Sequence, residues 1–127
     1  MIVDSVYTHL STAAGIKAIA GSSVFPLTVP QGSQFPAVVF TLDSDEIDQL
    51  LDEVGELRRA MVSIDGYSTN HVEAHQLGDA IEAALTGTHG PFGSKTAEFI
   101  TLQRRFEMFE SDTFLYRVAL QFLIAYH

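Results

Sequence analysis

No cysteine occurs among the 127 residues of the chain. Disulfide bonds, thiolate nucleophiles and zinc sites with cysteine ligands are therefore excluded, and the fold has to rest on apolar packing. A chain of this length matches one typical domain and can bury a substantial core without cross-links. We therefore expect a single domain over residues 1–127.

Basic residues are also scarce, since seven Lys and Arg stand against sixteen Asp and Glu, which gives a net charge of −9. This excess of negative charge repels phosphate backbones and argues against specific nucleic-acid binding. No stretch approaches the roughly 20 apolar residues of a membrane span, and the first residues lack the basic segment of a signal peptide. We expect a soluble protein without a membrane partner that remains where it is made.

Apolar residues recur with helical spacing in two segments and alternate in four. The first helix begins near Val3, and the second follows Asn70, which forms a capping box with Glu73. The alternating segments are residues 36–42, residues 57–67 and the two arms of a final hairpin with its turn at residues 110–113. The sequence predicts an α+β fold in the order α-β-β-α-β-β, with a largely antiparallel sheet of about four strands and two helices packed on one face.

Strict alternation assigns the side chains of the final hairpin to faces. In the first arm, one face carries Ile100, Leu102, Phe106 and Met108. In the second arm, one face carries Phe114, Tyr116, Val118, Leu120, Phe122, Ile124 and Tyr126. Each arm is therefore expected to have one apolar face.

Two segments rich in proline, glycine and serine, residues 21–36 and 86–97, are predicted as loops because proline removes backbone donors and fixes φ. Their apolar side chains are either anchors of a protein interface or residues that fold back on the core. These candidate interface residues are Phe25, Leu27, Val29, Phe35 and Phe92.

A strongly acidic stretch between the first two predicted strands contains no basic residue. Its seven carboxylates are Asp43, Asp45, Glu46, Asp48, Asp52, Glu53 and Glu56. Repulsion among them predicts a solvated connection between the strands.

Motifs of known chemistry fail on their spacing. Residues 90–96 end in Ser-Lys-Thr, but the two positions where a phosphate-binding loop requires glycine are His89 and Ser94, and the predicted context is helix, loop, strand. His71 and His75 share a helix face, yet a third zinc ligand such as Asp79 is only conjectural. No serine has the setting of a nucleophile. We therefore expect no enzyme, no cofactor and no metal site.

The layout resembles the tail-completion or tail-terminator proteins among the head-tail joining genes of long-tailed phages and prophages. The resemblance spans nearly the whole chain. Its features are the short amphipathic first helix, the Pro30-Gln31-Gly32 turn before Phe35-Pro36-Ala37-Val38-Val39-Phe40, the strand from Val62 to Ser68 that leads into the alanine-rich helix, and the closing strand from Tyr116 to Tyr126.

The resemblance implies a virion protein without catalytic activity that forms a ring of six, caps the tail tube and contacts the head connector. It implies as partners further copies of the chain, the tail tube protein and the connector proteins. On this reading the acidic stretch lies near the lumen or rim of the ring, where negative charge keeps passing DNA from binding.

A second reading keeps the fold and changes the role, to a small α+β module that binds a ligand or a peptide on its sheet and dimerises through its helices. A discrete dimer with a closed apolar pocket would favour this module, whereas an equilibrium between monomer and ring would favour the tail protein.

Overall fold

The computed structural model describes residues 2–47 and 57–127, in which strands outweigh helices. The elements are α1 (Ile2–Thr12), α2 (Ala14–Ala20), β1 (Val24–Pro26), β2 (Ala37–Ile47), β3 (Arg58–Ser68), α3 (His71–Leu85), β4 (Gly90–Phe92), β5 (Lys95–Glu110) and β6 (Leu115–Tyr126). The strands form one sheet in the order β1-β2-β3-β6-β5-β4, curled into a half-barrel. None of the helices in the described residues is long and apolar enough to cross a membrane.

The predicted fold class is wrong, because the sheet has six mixed strands and is accompanied by three helices. Strand β1 runs parallel to β2, with Val24 opposite Val38, and β4 pairs with the start of β5. Both extra strands are three residues long and lie in the segments predicted as loops, where so short a run shows no alternation. The first predicted helix is divided because Ala13 has an extended backbone with ψ of 120°.

The helices cover one face of the sheet and form the core with it. Leu77, Ile81 and Leu85 of α3 are fully buried, as are Ile64 of β3 and Phe122 of β6. Helix α3 begins where the capping box places it, since the Asn70 side chain accepts a hydrogen bond from the Glu73 backbone N–H at 3.1 Å. The face opposite the helices is called the open face below.

The face assignment for the first hairpin arm is wrong for its second half. Phe106 and Met108 lie opposite Ala119 and Arg117 on the open face, whereas Ile100 pairs with Ile124 on the helix-covered face. The ladder between β5 and β6 shifts register twice, between Ala97 and Phe99 and between Leu102 and Arg104. Each β-bulge adds one residue and so turns the following side chains to the other face.

Alanine substitutions at the two helical glycines are expected to change stability in opposite directions. A methyl group at Gly78 would lie 2.6 Å from Cγ2 of the buried Val118, whereas one at Gly15 would lie 3.6 Å from Ala80, an ordinary contact. We expect Gly78→Ala to lower the free energy of unfolding by about 2 kcal/mol through overpacking. Gly15→Ala is expected to raise it by about 0.5 kcal/mol, because alanine favours the helix.

Urea denaturation of both variants beside the wild type checks this pair. A Gly78→Ala variant as stable as the wild type or as Gly15→Ala would contradict the close packing of α3 on β6.

Candidate assembly surface

Two bulky apolar residues stand in an unusual backbone conformation. Leu27, just after β1, has φ of 67°, and Phe114, in the turn between β5 and β6, has φ of 56°. They are the only non-glycine residues with positive φ in the described part of the chain. Both side chains are 74 % exposed, which makes them the most exposed large apolar residues described. For a residue with a Cβ, this backbone conformation raises the free energy of the folded chain by about 1–2 kcal/mol. Because both side chains are exposed, packing within the subunit does not offset that cost.

Leu27 lies at the rim of an apolar cleft on the open face. The segment from Leu27 to Phe35 folds over one end of the sheet and leaves a cavity of about 400 Å³. The apolar lining consists of Leu27, Val29, Phe35, Val39, Tyr67 and Leu115. Glu110 and Thr113 of the β5–β6 hairpin lie at the same cleft, so Phe114 belongs to this end of the molecule.

An aromatic row continues from Phe114 on the other side of the sheet. The Phe114 ring lies 6.4 Å from that of Phe109, whose ring lies 4.9 Å from that of Tyr116. Tyr116 in turn lies 5.3 Å from the His71 ring at the start of α3. This end of the molecule therefore exposes apolar groups on both sides, and we call it, with the cleft, the assembly end.

The structure brings together three of the five candidate interface residues. Leu27, Val29 and Phe35 line the cleft, and Phe35 is 38 % exposed. Phe25 is half-buried on β1. Phe92 is fully buried, its ring 4.8 Å from that of His9, so it belongs to the core and offers no free surface.

Charged side chains beside the cleft have only some of their possible hydrogen-bond partners. The Arg117 guanidinium donates to Asp65 at 3.2 Å across the open face. Burial raises the pKa of Asp65 above its ordinary value, and the Arg117 charge opposes that rise. Glu110 Oε1 and Arg117 Nε are buried and have no hydrogen-bond partner within the described residues.

Three residues of the predicted acidic stretch belong to β2. Asp43 accepts hydrogen bonds from Ser63 and Gln121 on the open face. Asp45 accepts from the Tyr126 hydroxyl at 2.7 Å and pairs with Arg58 at 3.3 Å, while Glu46 is exposed. The other four carboxylates, Asp48, Asp52, Glu53 and Glu56, lie outside the described residues. The role of the acidic stretch near passing DNA stays a prediction.

The histidines of α3 are engaged with β5. His75 lies 2.8 Å from Glu107, which also lies 3.6 Å from His71. Asp79, the conjectural third zinc ligand, lies 3.6 Å from His75 and also accepts from Arg105 at 2.9 Å. Within residues 2–47 and 57–127, no group of three or more His, Cys, Asp or Glu side chains is arranged to hold a metal ion.

The segment with the Ser-Lys-Thr sequence is not a phosphate-binding loop. Residues 90–92 form β4, the next two make a tight turn, and Lys95 begins β5. Gly93 has φ of 59°, and a Cβ there would lie 2.8 Å from the Cα of Ser5. The glycine therefore serves the close packing of this turn on α1.

Comparisons with known proteins point to one class. The model of a family described as Tail completion protein gp17 matches residues 4–127. Among solved structures, a chain from the "Virion of native gene transfer agent (GTA) particle" superposes with a TM-score of 0.73, over 95 % of this chain and 90 % of that chain. Its sequence identity is 19 %, so this likeness concerns the fold alone. No match is found among curated proteins.

Proposed function

Because the chain belongs to the Tail completion protein gp17 family, over residues 4–127, we propose that it caps the phage tail tube as an oligomeric ring and helps to join the tail to the head. The family is a structural one, and the chain is a component of the tail in the virion. The ring is proposed to contain six copies, as the sequence resemblance implies.

The observation that carries the proposal is the pair Leu27 and Phe114. A sequence selected only for a stable free subunit would place Gly or Asn at two exposed positions with positive φ. Bulky apolar residues there cost stability, and strain of this kind is kept at sites where it serves a function. In an assembled tail, burial against a neighbouring protein offsets the cost, at roughly 25 cal/mol per Å² of apolar surface.

The assembly end has the chemistry of a docking site for another protein. Exposed aromatic and aliphatic anchors beside a cleft are the usual centre of a protein interface. We propose that this end contacts the next layer of the particle, the tail tube or the head connector.

We propose that the role is non-catalytic and requires no cofactor. The polar clusters of the described residues support this, because their charged groups pair with one another. Arg105 donates to Asp79 and Glu82, and Arg117 pairs with Asp65. Such pairs fix the helices and strands in place, and none of them presents a nucleophile beside a base.

Deletion of the gene from the parent phage or prophage tests the function. Electron microscopy is expected to show tails of uncontrolled length and heads without tails, and expression of the wild-type chain in trans restores joined particles. Normal, infectious particles from the deletion strain would contradict the proposal. A discrete dimer that binds a ligand or peptide would then support the binding module.

A further inference from the structure

In the part of the chain that the structure describes, the curled sheet has an incompletely paired strand edge on each of its two sides. On β2, β1 covers Val38 to Phe40 only, so the outer edge from Thr41 to Ile47 pairs with no strand of the described chain. On β5, β4 pairs with Lys95–Ala97, and Gly87 donates to the Ile100 carbonyl at 3.1 Å. Within residues 2–47 and 57–127, no strand pairs with the outer edge of β5 from Gln103 to Glu110. Exposed strand edges template pairing with another chain unless they are blocked.

The directions of the strands fit one edge to the other. Along the order β2-β3-β6-β5, each strand is antiparallel to its neighbour, so β2 and β5 run in opposite directions. A second copy can extend the sheet in the same orientation, with its helices on the same face. In that arrangement β5 of one subunit and β2 of the next lie side by side as an antiparallel pair. The contact joins two different surfaces, and such a heterologous contact closes into a ring when the rotation between subunits permits.

Charge selects one register for this pair. Glu46 on β2 and Arg104 on β5 are both exposed and form no ion pair within the described residues. Both lie on the open face, since Glu46 is opposite Arg59 on β3 and Arg104 is opposite Gln121 on β6. When Glu46 of one copy faces Arg104 of the next, the Asp45 position faces the Arg105 position on the other side of the sheet. Opposite charges directly across two strands stabilise their pairing.

The short outer strands are compatible with the same register. The β-bulge in β2 between Leu42 and Ser44 leaves Asp43 without a partner residue. Antiparallel pairing that starts with Glu46 opposite Arg104 therefore reaches Thr41 opposite Met108, after which β1 occupies the edge of β2. The β5–β6 hairpin beyond Met108 must therefore leave the plane of the joined sheet. At the other end, the segment of Gly87 bounds the free edge of β5.

We propose that neighbouring subunits join by antiparallel pairing of Thr41–Glu46 of one copy with Arg104–Met108 of the next, with Glu46 facing Arg104. The inference rests on the proposed ring and names the surface that builds it. The partner is a second copy of this chain.

A charge exchange tests the register. Glu46→Arg or Arg104→Glu alone places like charges opposite each other and is expected to weaken self-association about tenfold or more. The combination of the two substitutions restores the opposite charges and is expected to restore assembly. Lys17→Glu, an exposed charge reversal on α2, serves as the control and leaves assembly unchanged. Native mass spectrometry counts the subunits, and circular dichroism verifies that each variant is folded.

A cross-link tests the same contact without relying on charge. In the proposed register Ser44 faces Phe106 of the next copy, and within one copy β3 and β6 separate these residues. Because the chain has no cysteine, the Ser44→Cys, Phe106→Cys variant is expected to form a disulfide-linked ladder in oxidised particles, which either single substitution alone does not give. Ser44→Cys with Arg105→Cys, whose side chains point to opposite faces, is the matched control.

The outcomes separate this inference from the proposed function. Rings that persist in both single charge variants, with no cross-linked ladder, would overturn the strand pairing and leave the ring intact. Wild-type particles that contain a single copy would overturn both. Rescue by the combined charge exchange together with the ladder would establish the contact.

Discussion

Leu27→Asn and Phe114→Asn are each expected to stabilise the free subunit while impairing the assembly of particles. Asparagine tolerates the left-handed backbone better than leucine or phenylalanine, so the free energy of unfolding should rise by about 1 kcal/mol per substitution. The lost apolar anchor should cost about 2 kcal/mol in the contact with the neighbouring protein, a factor of about thirty in affinity. The expected result is a rise in the stability of the free subunit together with a loss of particle assembly. This combination is diagnostic, because an ordinary destabilising mutation lowers both stability and assembly.

Complementation of the deletion strain measures the functional part of this prediction, and urea denaturation of the purified chain measures the stability. Phe99→Gln removes a ring that is 37 % exposed on β5, at the opposite end of the β5–β6 ladder from Phe109 and Tyr116, and should leave the yield of infectious particles unchanged. Particle yields equal to wild type for both asparagine variants would refute the role of this end in docking. Lower stability of the free variants would refute the account of backbone strain.

The long elements of the fold follow from patterns that the sequence displays openly. Alternation over many residues marks β3 and β6, and the capping box marks the start of α3, because each reflects contacts inside or beside the element itself. Strands β1 and β4 depend instead on hydrogen bonds to a neighbouring strand, and each is too short and too close to proline and glycine to show alternation. A run such as Val24–Pro26 becomes a strand only through the hydrogen bonds that Val38 and its neighbours provide.

The bulges in β5 explain why strict alternation places the second half of this strand's apolar side chains on the wrong face of the sheet. A single inserted residue leaves composition and hydrophobicity unchanged, yet it moves Phe106 and Met108 from the core to the open face. The signal in the sequence was weak but present: Gln103, Arg104 and Arg105 interrupt the alternation at the second bulge. Three consecutive polar residues within a strand cannot continue a strict alternation, so a change of face is expected nearby.

The candidate site was located in part by composition. An apolar segment rich in proline pointed to Leu27, Val29 and Phe35, whereas Phe92 shares that signature and is buried in the core. Phe114 was missed as an exposed residue because alternation alone assigned it to the strand. Its position directly after the turn residues Ser111, Asp112 and Thr113 was the available signal, since turns often require a positive φ. Whether a loop residue points outward depends on the backbone path, which composition does not specify.

The stability of the chain is expected to fall steeply at alkaline pH because of Tyr126. The ring is 2 % exposed, and its hydroxyl donates to both Asp45 oxygens at 2.7 and 2.8 Å. Burial, together with the Asp45 carboxylate, raises the pKa of Tyr126 from 10.0 to about 12. The folded state therefore holds a proton that the unfolded state releases between pH 10 and 12. This stabilisation is fully present below pH 10 and is lost as the pH rises through 12, with a total of about 3 kcal/mol.

Tyr126→Phe removes this proton linkage, so the difference between the wild type and the variant should change sign with pH. Below pH 9 the wild type should be more stable by about 1 kcal/mol, because the variant leaves Asp45 without its hydroxyl donor. Near pH 12 the variant should be the more stable protein, and urea denaturation from pH 8 to 12 follows the crossover, with Tyr7→Phe as the exposed control. A constant difference would show that the hydroxyl of Tyr126 is not protected by the fold. Because Asp45 lies within the β2 segment proposed to pair with the next subunit, loss of this bond should also loosen that edge and weaken self-association at alkaline pH.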